Sequence, residues 1–174
     1  VRENMTGRLT LFSESAPDLR LRAIGIDDLE ELRVWKNANR EFFFFQGFID
    51  PEMQRAWYEG YLKRPGDFMF IVEAEGRKAG CLGFRTEGGA ADCYNIIASP
   101  EGRGKGLLKA GMRLMCSYIL TARTREIVLK VLADNPAAGF YESCGFHVVA
   151  TKDGFHQMQL SDDFSPALYR VLSS

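Results

Sequence analysis

Histidine is nearly absent from the 174 residues, with only His147 and His156, and the four cysteines, Cys81, Cys93, Cys116 and Cys144, form no Cys-x-x-Cys pair. A zinc knuckle or a dithiol redox centre needs closely spaced ligands, so both are disfavoured; the cysteines are expected as small core residues in a reducing compartment, the histidines as strand positions, and no metal is expected. No apolar run approaches the ~20 residues that span a bilayer, and Val1-Arg-Glu-Asn lacks the apolar core of a secretory signal, so a soluble, cytoplasmic protein without a membrane partner is expected. Charge of one sign is missing as well: 22 Lys and Arg stand against 23 Asp and Glu, which argues against nucleic acid as a partner. There is no repeat, low-complexity tract or Pro/Ser linker, and a length of 174 residues at 46% hydrophobic composition suits one domain with a full core.

What is present reads as an ordered alternation of strands and helices. Leu9 to Phe12 allows a short strand, and Leu19-Arg-Leu-Arg-Ala23 alternates apolar and charged side chains, the period of a strand with one wet face. Asp27 with Glu30 suggests a capped helix carrying Leu29, Leu32 and Trp35 on one face; Asp50-Pro51 opens a second, with Met53, Trp57 and Tyr61 at fourfold spacing. Between them lies Phe42-Phe-Phe-Phe45-Gln-Gly-Phe48, which either packs as core or lines a pocket; core packing is the expectation, because exposed aromatics are costly. Strands over 68–73 and 79–85, a turn at Glu87-Gly-Gly89 and a strand over 92–98 predict an antiparallel meander. A helix over 106–120 with Leu108, Met112, Met115 and Ile119 on one face leads to a strand over 126–132. Asn135-Pro136 then opens another helix, Gly145 ends it, and strands over 146–151 and 155–160 flank the Lys152-Asp-Gly154 turn. Residues after Phe164 read as a tail or an added helix containing Leu168 and Val171.

The most informative segment is Ile96-Ile-Ala-Ser-Pro-Glu-Gly-Arg-Gly-Lys-Gly106, a strand that runs through a glycine-dense turn into a helix. Glycines there let successive backbone N–H groups converge, and the helix start adds partial positive charge, together a nest for a pyrophosphate with Arg103 and Lys105 at its rim. A solvated turn is the plainer reading of the same residues. A Walker A loop is excluded, since its first glycine and its Ser/Thr fall on Ser99 and Gly106; the preceding meander disfavours a dinucleotide fold.

With those residues in view the chain resembles the GNAT superfamily of acyl-CoA N-acyltransferases. Glu101-Gly-Arg-Gly104-Lys-Gly106 matches both glycines of the family's Gln/Arg-x-x-Gly-x-Gly/Ala motif and replaces its first residue with glutamate. Asn135-Pro-Ala-Ala-Gly-Phe-Tyr141-Glu-Ser-Cys-Gly145-Phe146 is similar to the second signature, an asparagine followed by an alanine-rich helix, a tyrosine and Gly-Phe. The resemblance implies an α/β (α+β) fold: a mixed, mostly antiparallel twisted sheet with helices on both faces and a splayed parallel pair made by the fourth and fifth core strands. It also implies a division into an N-terminal extension (1–17), an acyl-CoA N-acyltransferase domain (18–163) and a C-terminal tail (164–174).

The activity implied is acetyl transfer from acetyl-CoA, with no metal, to a primary amine by direct attack in a ternary complex. Ile96, Ile97 and Ala98 would present free backbone groups to the pantetheine and thioester; Arg103, Gly104, Lys105, Gly106 and Asn135 would also bind the cofactor; Tyr141 would be the acid that protonates the thiolate, against the alternative of a tyrosine merely packed on the sheet. No base is assigned: Asp92 and Tyr94 lie on the strand facing the expected acceptor channel and Glu41 in the aromatic connection, and no motif singles one of them out. Cys144 has no histidine placed to activate it for a covalent route. Trp35-Lys-Asn-Ala-Asn39 and the following aromatics resemble two subgroups, one acetylating amino-sugar nucleotides and one ribosomal-protein N-termini. The acceptor expected is a small-molecule or peptide amine, with the amino-sugar nucleotide favoured; a non-catalytic acyl-CoA-binding sensor is the alternative from another class. An exposed last strand leaves a homodimer open.

Overall fold

Nine strands hydrogen-bond into one sheet in the order β7-β8-β6-β5-β4-β3-β2-β1-β9 in the computed structural model, which describes residues 9–173. In chain order they are β1 (Leu9–Ser13), β2 (Leu19–Ala23), β3 (Asp67–Ala74), β4 (Arg77–Glu87), β5 (Ala90–Ala98), β6 (Ile127–Leu132), β7 (Phe146–Lys152), β8 (Phe155–Leu160) and β9 (Tyr169–Ser173). Four helices interleave with them: α1 (Leu29–Ala38), α2 (Pro51–Lys63), α3 (Leu107–Ala122) and α4 (Ala138–Ser143). Every pairing is antiparallel except β5 with β6, so the mixed, mostly antiparallel sheet expected from the sequence is the one observed. Among the described residues no helix is long and apolar enough to cross a membrane.

Helices cover both faces, which explains why β3 is apolar without interruption. Phe68, Phe70 and Val72 point to the face where α3 sits, packing with Met112, Met115 and Ile119. Met69 and Ile71 alternate to the opposite face and meet Leu32 and Trp35 of α1 and Tyr61 of α2. A strand buried on two sides loses the polar half of its alternation. Tyr61 also accepts the Met69 N–H on its hydroxyl at 3.2 Å, which anchors α2 to the sheet.

The helix starts differ in how far their caps were legible. Asp50 caps α2 as expected, its carboxylate accepting the Met53 N–H at 2.8 Å. At α1 the cap expected at Asp27 is not used: a 3-10 turn over Ile26–Asp28 precedes the helix, and Asp28 accepts the Gly25 N–H at 2.7 Å instead. Burial explains the choice, since Asp28 is enclosed with Arg22 at 2.9 Å and Lys78 at 3.0 Å.

At the ends of the chain, the short strand allowed over Leu9 to Phe12 is present, whereas β9 falls where a tail or helix was expected. Residues 1–8 of the expected N-terminal extension lie outside the described residues. Leu9–Ser13 pairs with β2 on one side and β9 on the other, and Tyr169–Ser173, read from sequence as tail or helix, is the edge strand. Both segments are short, and their pairing depends on partners about 160 positions apart in sequence, as in Leu9 opposite Ser173.

Candidate active site

The sheet opens at β5. Among the described residues only Ala91, Asp92 and Cys93 pair with β6, and from Tyr94 onward that edge of β5 has no strand partner there. The cause is a β-bulge: Tyr94 and Ile97 pair with Gly83 and Cys81, so Asn95 and Ile96 together oppose Leu82. Asn95 takes the left-handed conformation (φ 49°), which asparagine tolerates better than most residues, and the strand bends away from β6. The parallel pair is thereby splayed, and a cavity of about 680 Å³ fills the opening.

Of the residues expected to form the site, Ile96, Ile97, Ala98, Arg103, Asn135 and Tyr141 all line this cavity. Ile97 also buries its side chain under α1 and α2, so its part toward the cavity is backbone. Gly104, Lys105 and Gly106 are exposed on the turn between β5 and α3, and Lys105 lines a separate cleft of about 290 Å³ with Glu75 and Lys78. Gly104 and Gly106 have φ of 76° and 71° with open space where a Cβ would stand. Among the described residues, the N–H groups of Arg103, Gly104, Lys105 and Gly106 donate no well-formed hydrogen bond within the chain. Converging free N–H groups at a helix start fit a phosphate group. Gly102, the third glycine, does something else: a Cβ there would stand 2.0 Å from the Ala79 carbonyl oxygen, so it lets the turn lie against β4.

Tyr141 is buried on α4, edge-on to Phe140 and Phe146. Its hydroxyl makes no hydrogen bond to the chain among the described residues, and no buried side-chain N or O atom there lacks a partner, so the oxygen faces open space. Burial, with Cys93 and Cys144 nearby, holds its pKa well above that of an ordinary tyrosine, so the phenol keeps its proton at neutral pH. Asn135 engages both ends of its amide: Oδ1 accepts the Ala137 N–H at 2.9 Å and Nδ2 donates to the Phe42 carbonyl at 3.3 Å. It thus ties the start of α4 to the aromatic connection.

Most of that connection is not core. Phe44, Phe45 and Phe48 are more than half exposed, and Phe42 through Phe45 line the cavity. The structure supports the pocket reading for most of the segment, although Phe43, half-buried, also packs against the cluster of Trp35 and Tyr61 under α1 and α2. Phe44 meets Phe155 of β8 edge-on at 5.6 Å, closing the cavity from the far side of β6.

Charged residues that sequence reasoning left unassigned also converge here. Lys36 donates to Asn95 Oδ1 at 2.5 Å and lies 3.5 Å from the centre of the Phe43 ring. Burial, with the Arg85 charge close by, lowers its pKa to about 8. The readable signal was its place on the apolar stripe of α1, four positions after Leu32 and next to Trp35. Tyr94 donates to Asp67, and Arg85 lies 4.1 Å over the Tyr94 ring and 4.0 Å from Asp92. Burial raises the Asp92 pKa despite Arg85 and Lys130. Glu41 is exposed and does not line the cavity.

The remaining candidates are not assembled. Cys81, Cys93 and Cys116 are buried, and Cys144 is held neutral by burial, which raises its pKa to about 11. His147 and His156 sit on β7 and β8; His156 bonds Thr151 at 2.8 Å. Among the described residues no group of three or more His, Cys, Asp or Glu residues could hold a metal ion.

Comparison with known proteins gives the same answer from a separate direction. A family model described as the acetyltransferase (GNAT) family matches residues 30–146. The mycothiol acetyltransferase of Clavibacter sepedonicus is 30% identical over 110 residues, covering 60% of this chain and 33% of that protein. The chain therefore spans about a third of the length of the curated relatives it matches. Among solved structures, the spermidine N-acetyltransferase of Vibrio cholerae in complex with CoA and spermine superposes with a TM-score of 0.70 at 23% identity, over 82% of this chain and 95% of that one. A domain from Methanocaldococcus jannaschii gives 0.72 at 18% identity, over 82% and 97%. At those identities the structures establish a shared fold.

Proposed function

The chain belongs to the acetyltransferase (GNAT) family, and from that premise we propose that it transfers an acetyl group from acetyl-CoA to a primary amine by direct attack in a ternary complex. The observation that carries the reading is the unpaired edge of β5, which opens into a cavity with Tyr141 on its wall and the Arg103–Gly106 turn beside it. Bound acetyl-CoA supplies a thioester carbonyl as electrophile and a thiolate as leaving group.

The chain's own residues divide the work. Free N–H groups at Arg103 to Gly106, with the Arg103 and Lys105 charges, hold the pyrophosphate. Backbone groups of Ile96, Ile97 and Ala98 orient the pantetheine and polarise the carbonyl. Asn135 positions α4 and the aromatic wall. As the amine nitrogen bonds to the carbonyl carbon and the C–S bond breaks, the Tyr141 hydroxyl gives its proton to the sulfur. Asp92, the one carboxylate in the cavity lining among the described residues, takes through water the proton that the amine sheds. Most of the rate gain comes from holding the two substrates together.

The finer acceptor favoured is an amino-sugar nucleotide, supported by the Phe43–Phe45 wall, on which a base or sugar face would stack; a peptide N-terminus could use the same wall. The domain, expected over 18–163, extends in this proposal from Leu9 to Ser173, because β1 and β9 complete its sheet. The test is thermal unfolding with acetyl-CoA, CoA and ATP, followed by thiol release in the presence of amines. Both CoA species should add ~2.7 kcal/mol at a hundredfold excess over Kd, and ATP nothing comparable. No shift with millimolar acetyl-CoA would sink the proposal, and binding without turnover would leave a sensor.

A further inference from the structure

Positive charge is concentrated where the acceptor must enter. Lys36, Arg85 and Lys130 line the cavity away from the phosphate turn, against Asp92 alone. Elsewhere some cations are closely paired, as Arg22 to Glu73 at 2.5 Å, Lys78 to Glu31 at 2.7 Å and Arg64 to Asp67 at 2.8 Å, while those without an ion pair among the described residues, such as Arg55, Arg77 and Arg125, do not line this cavity. Lys36 and Lys130 have no ion pair among the described residues; Arg85 has one at the limit, Asp92 at 4.0 Å, while Asp67, opposite Arg85 across the β3–β4 ladder, is bonded to Tyr94 and paired with Arg64. The charge is local, since the whole chain carries a net charge of only -1.

The geometry locates this charge further. A second cavity of about 300 Å³ runs beneath α1 and α2, with Gln54, Trp57 and Met69 in its walls. Lys36, Arg85, Tyr94 and Asn95 line both cavities and so stand at their junction. The aromatic faces of Phe43 and Tyr94 hold the two cations in place without neutralising them. A half-buried ammonium with only an amide oxygen and a ring as partners is poorly solvated, as its depressed pKa reflects, and an incoming anion would relieve that cost.

We propose that the acceptor is an amine that also carries an anionic group, a carboxylate or a phosphate, held by Lys36 and Arg85 at the junction of the two cavities. The inference rests on the acetyltransferase reading and narrows its substrate class. A polycationic amine would meet repulsion at this junction, whereas the amine of an anionic acceptor, with its anion anchored there, lies in the larger cavity toward Tyr141.

The test uses matched amines with acetyl-CoA and follows thiol release: glucosamine 6-phosphate against glucosamine for phosphate, phenylalanine against its amide for carboxylate, and spermidine as the polycation. The anionic member of at least one pair should have kcat/KM about tenfold or more above its neutral partner, with the pair that separates naming the anion; Lys36→Met and Arg85→Gln should each erode that preference, mainly through KM. As a readout independent of turnover, inorganic pyrophosphate titrated into CoA-saturated protein should give a saturable heat that both variants lose. Arg85→Gln is a change at a half-exposed side chain, so it keeps the test sound if Lys36→Met folds poorly. Neutral amines or spermidine turned over as fast as the anionic ones, or a pyrophosphate titration that is the same in wild type and variants, would overturn the inference. A missing acetyl-CoA shift in thermal unfolding would instead remove the acetyltransferase reading, and the inference with it.

Discussion

Replacing Tyr141 by phenylalanine isolates one oxygen atom. The ring keeps its edge-on contacts with Phe140 and Phe146, and the hydroxyl has no hydrogen-bond partner in the chain among the described residues, so folding loses almost nothing. With the ring packing kept and no hydrogen bond lost, the change should stay within about 0.5 kcal/mol, a shift of roughly 1–2 °C in Tm for a chain this size. Catalysis should respond very differently. A positioned general acid contributes about 10²–10⁴-fold, and a thiolate is an easy group to protonate, so the low end applies: kcat should fall about a hundredfold, ~2.7 kcal/mol of barrier, with KM for acetyl-CoA little changed. The pH profile supplies an independent check. The group must be protonated to act, and burial raises its pKa; activity should therefore not decline through the ordinary tyrosine range near pH 10. The assay is thiol release under saturating acetyl-CoA, with single-turnover measurement to expose the chemical step. A variant within threefold of wild type in that step, or one that melts far below it, would refute the assignment.

Two further perturbations bear on the scaffold of the site. Burial alone would raise the Asp28 pKa, but its bonds to Arg22, the Gly25 N–H and Lys78 prevail and lower it to about 2; the carboxylate thus adds stability that is full above pH 4 and lost as pH falls toward 2, ~2 kcal/mol in all. Asp28→Asn should cost about 3 kcal/mol at pH 7 and flatten the acid limb in urea unfolding, and an unchanged acid limb would contradict this. Gly102→Ala forces a Cβ against the Ala79 carbonyl and should both lower the unfolding midpoint and weaken acetyl-CoA binding, because the turn must move off β4. Gly104→Ala meets only backbone strain of about 1–2 kcal/mol, so calorimetry should find Gly102→Ala the more damaging to stability.

Where the chemistry is local, the chain could be read directly. The turn from Pro100 to Gly106 needs glycine at Gly104 and Gly106 for its backbone alone, and the meander before it needs only two tight turns and alternating side chains. Asn135 and Gly145 marked the ends of the segment that holds α4 for the same reason, although the helix proper begins only at Ala138. The cap of α1 was misread at Asp27 because Asp28 answers to Arg22 and Lys78, and Lys78 lies on a strand still to come.

By itself, then, the sequence determined the order of elements from β2 to β8, the glycine turn before α3 and the family to which the motifs point, since each motif rests on residues within a few positions of one another. Tertiary structure alone decided that Phe42 to Phe45 form a wall rather than core, that β1 and β9 close one side of the sheet, and that Lys36 stands beside Asn95, 59 residues away, at the junction of two cavities. Those outcomes follow from which surfaces other elements have already covered, and from a bulge that parts β5 from β6, and burial of that kind is a property of the packed whole rather than of any stretch of chain.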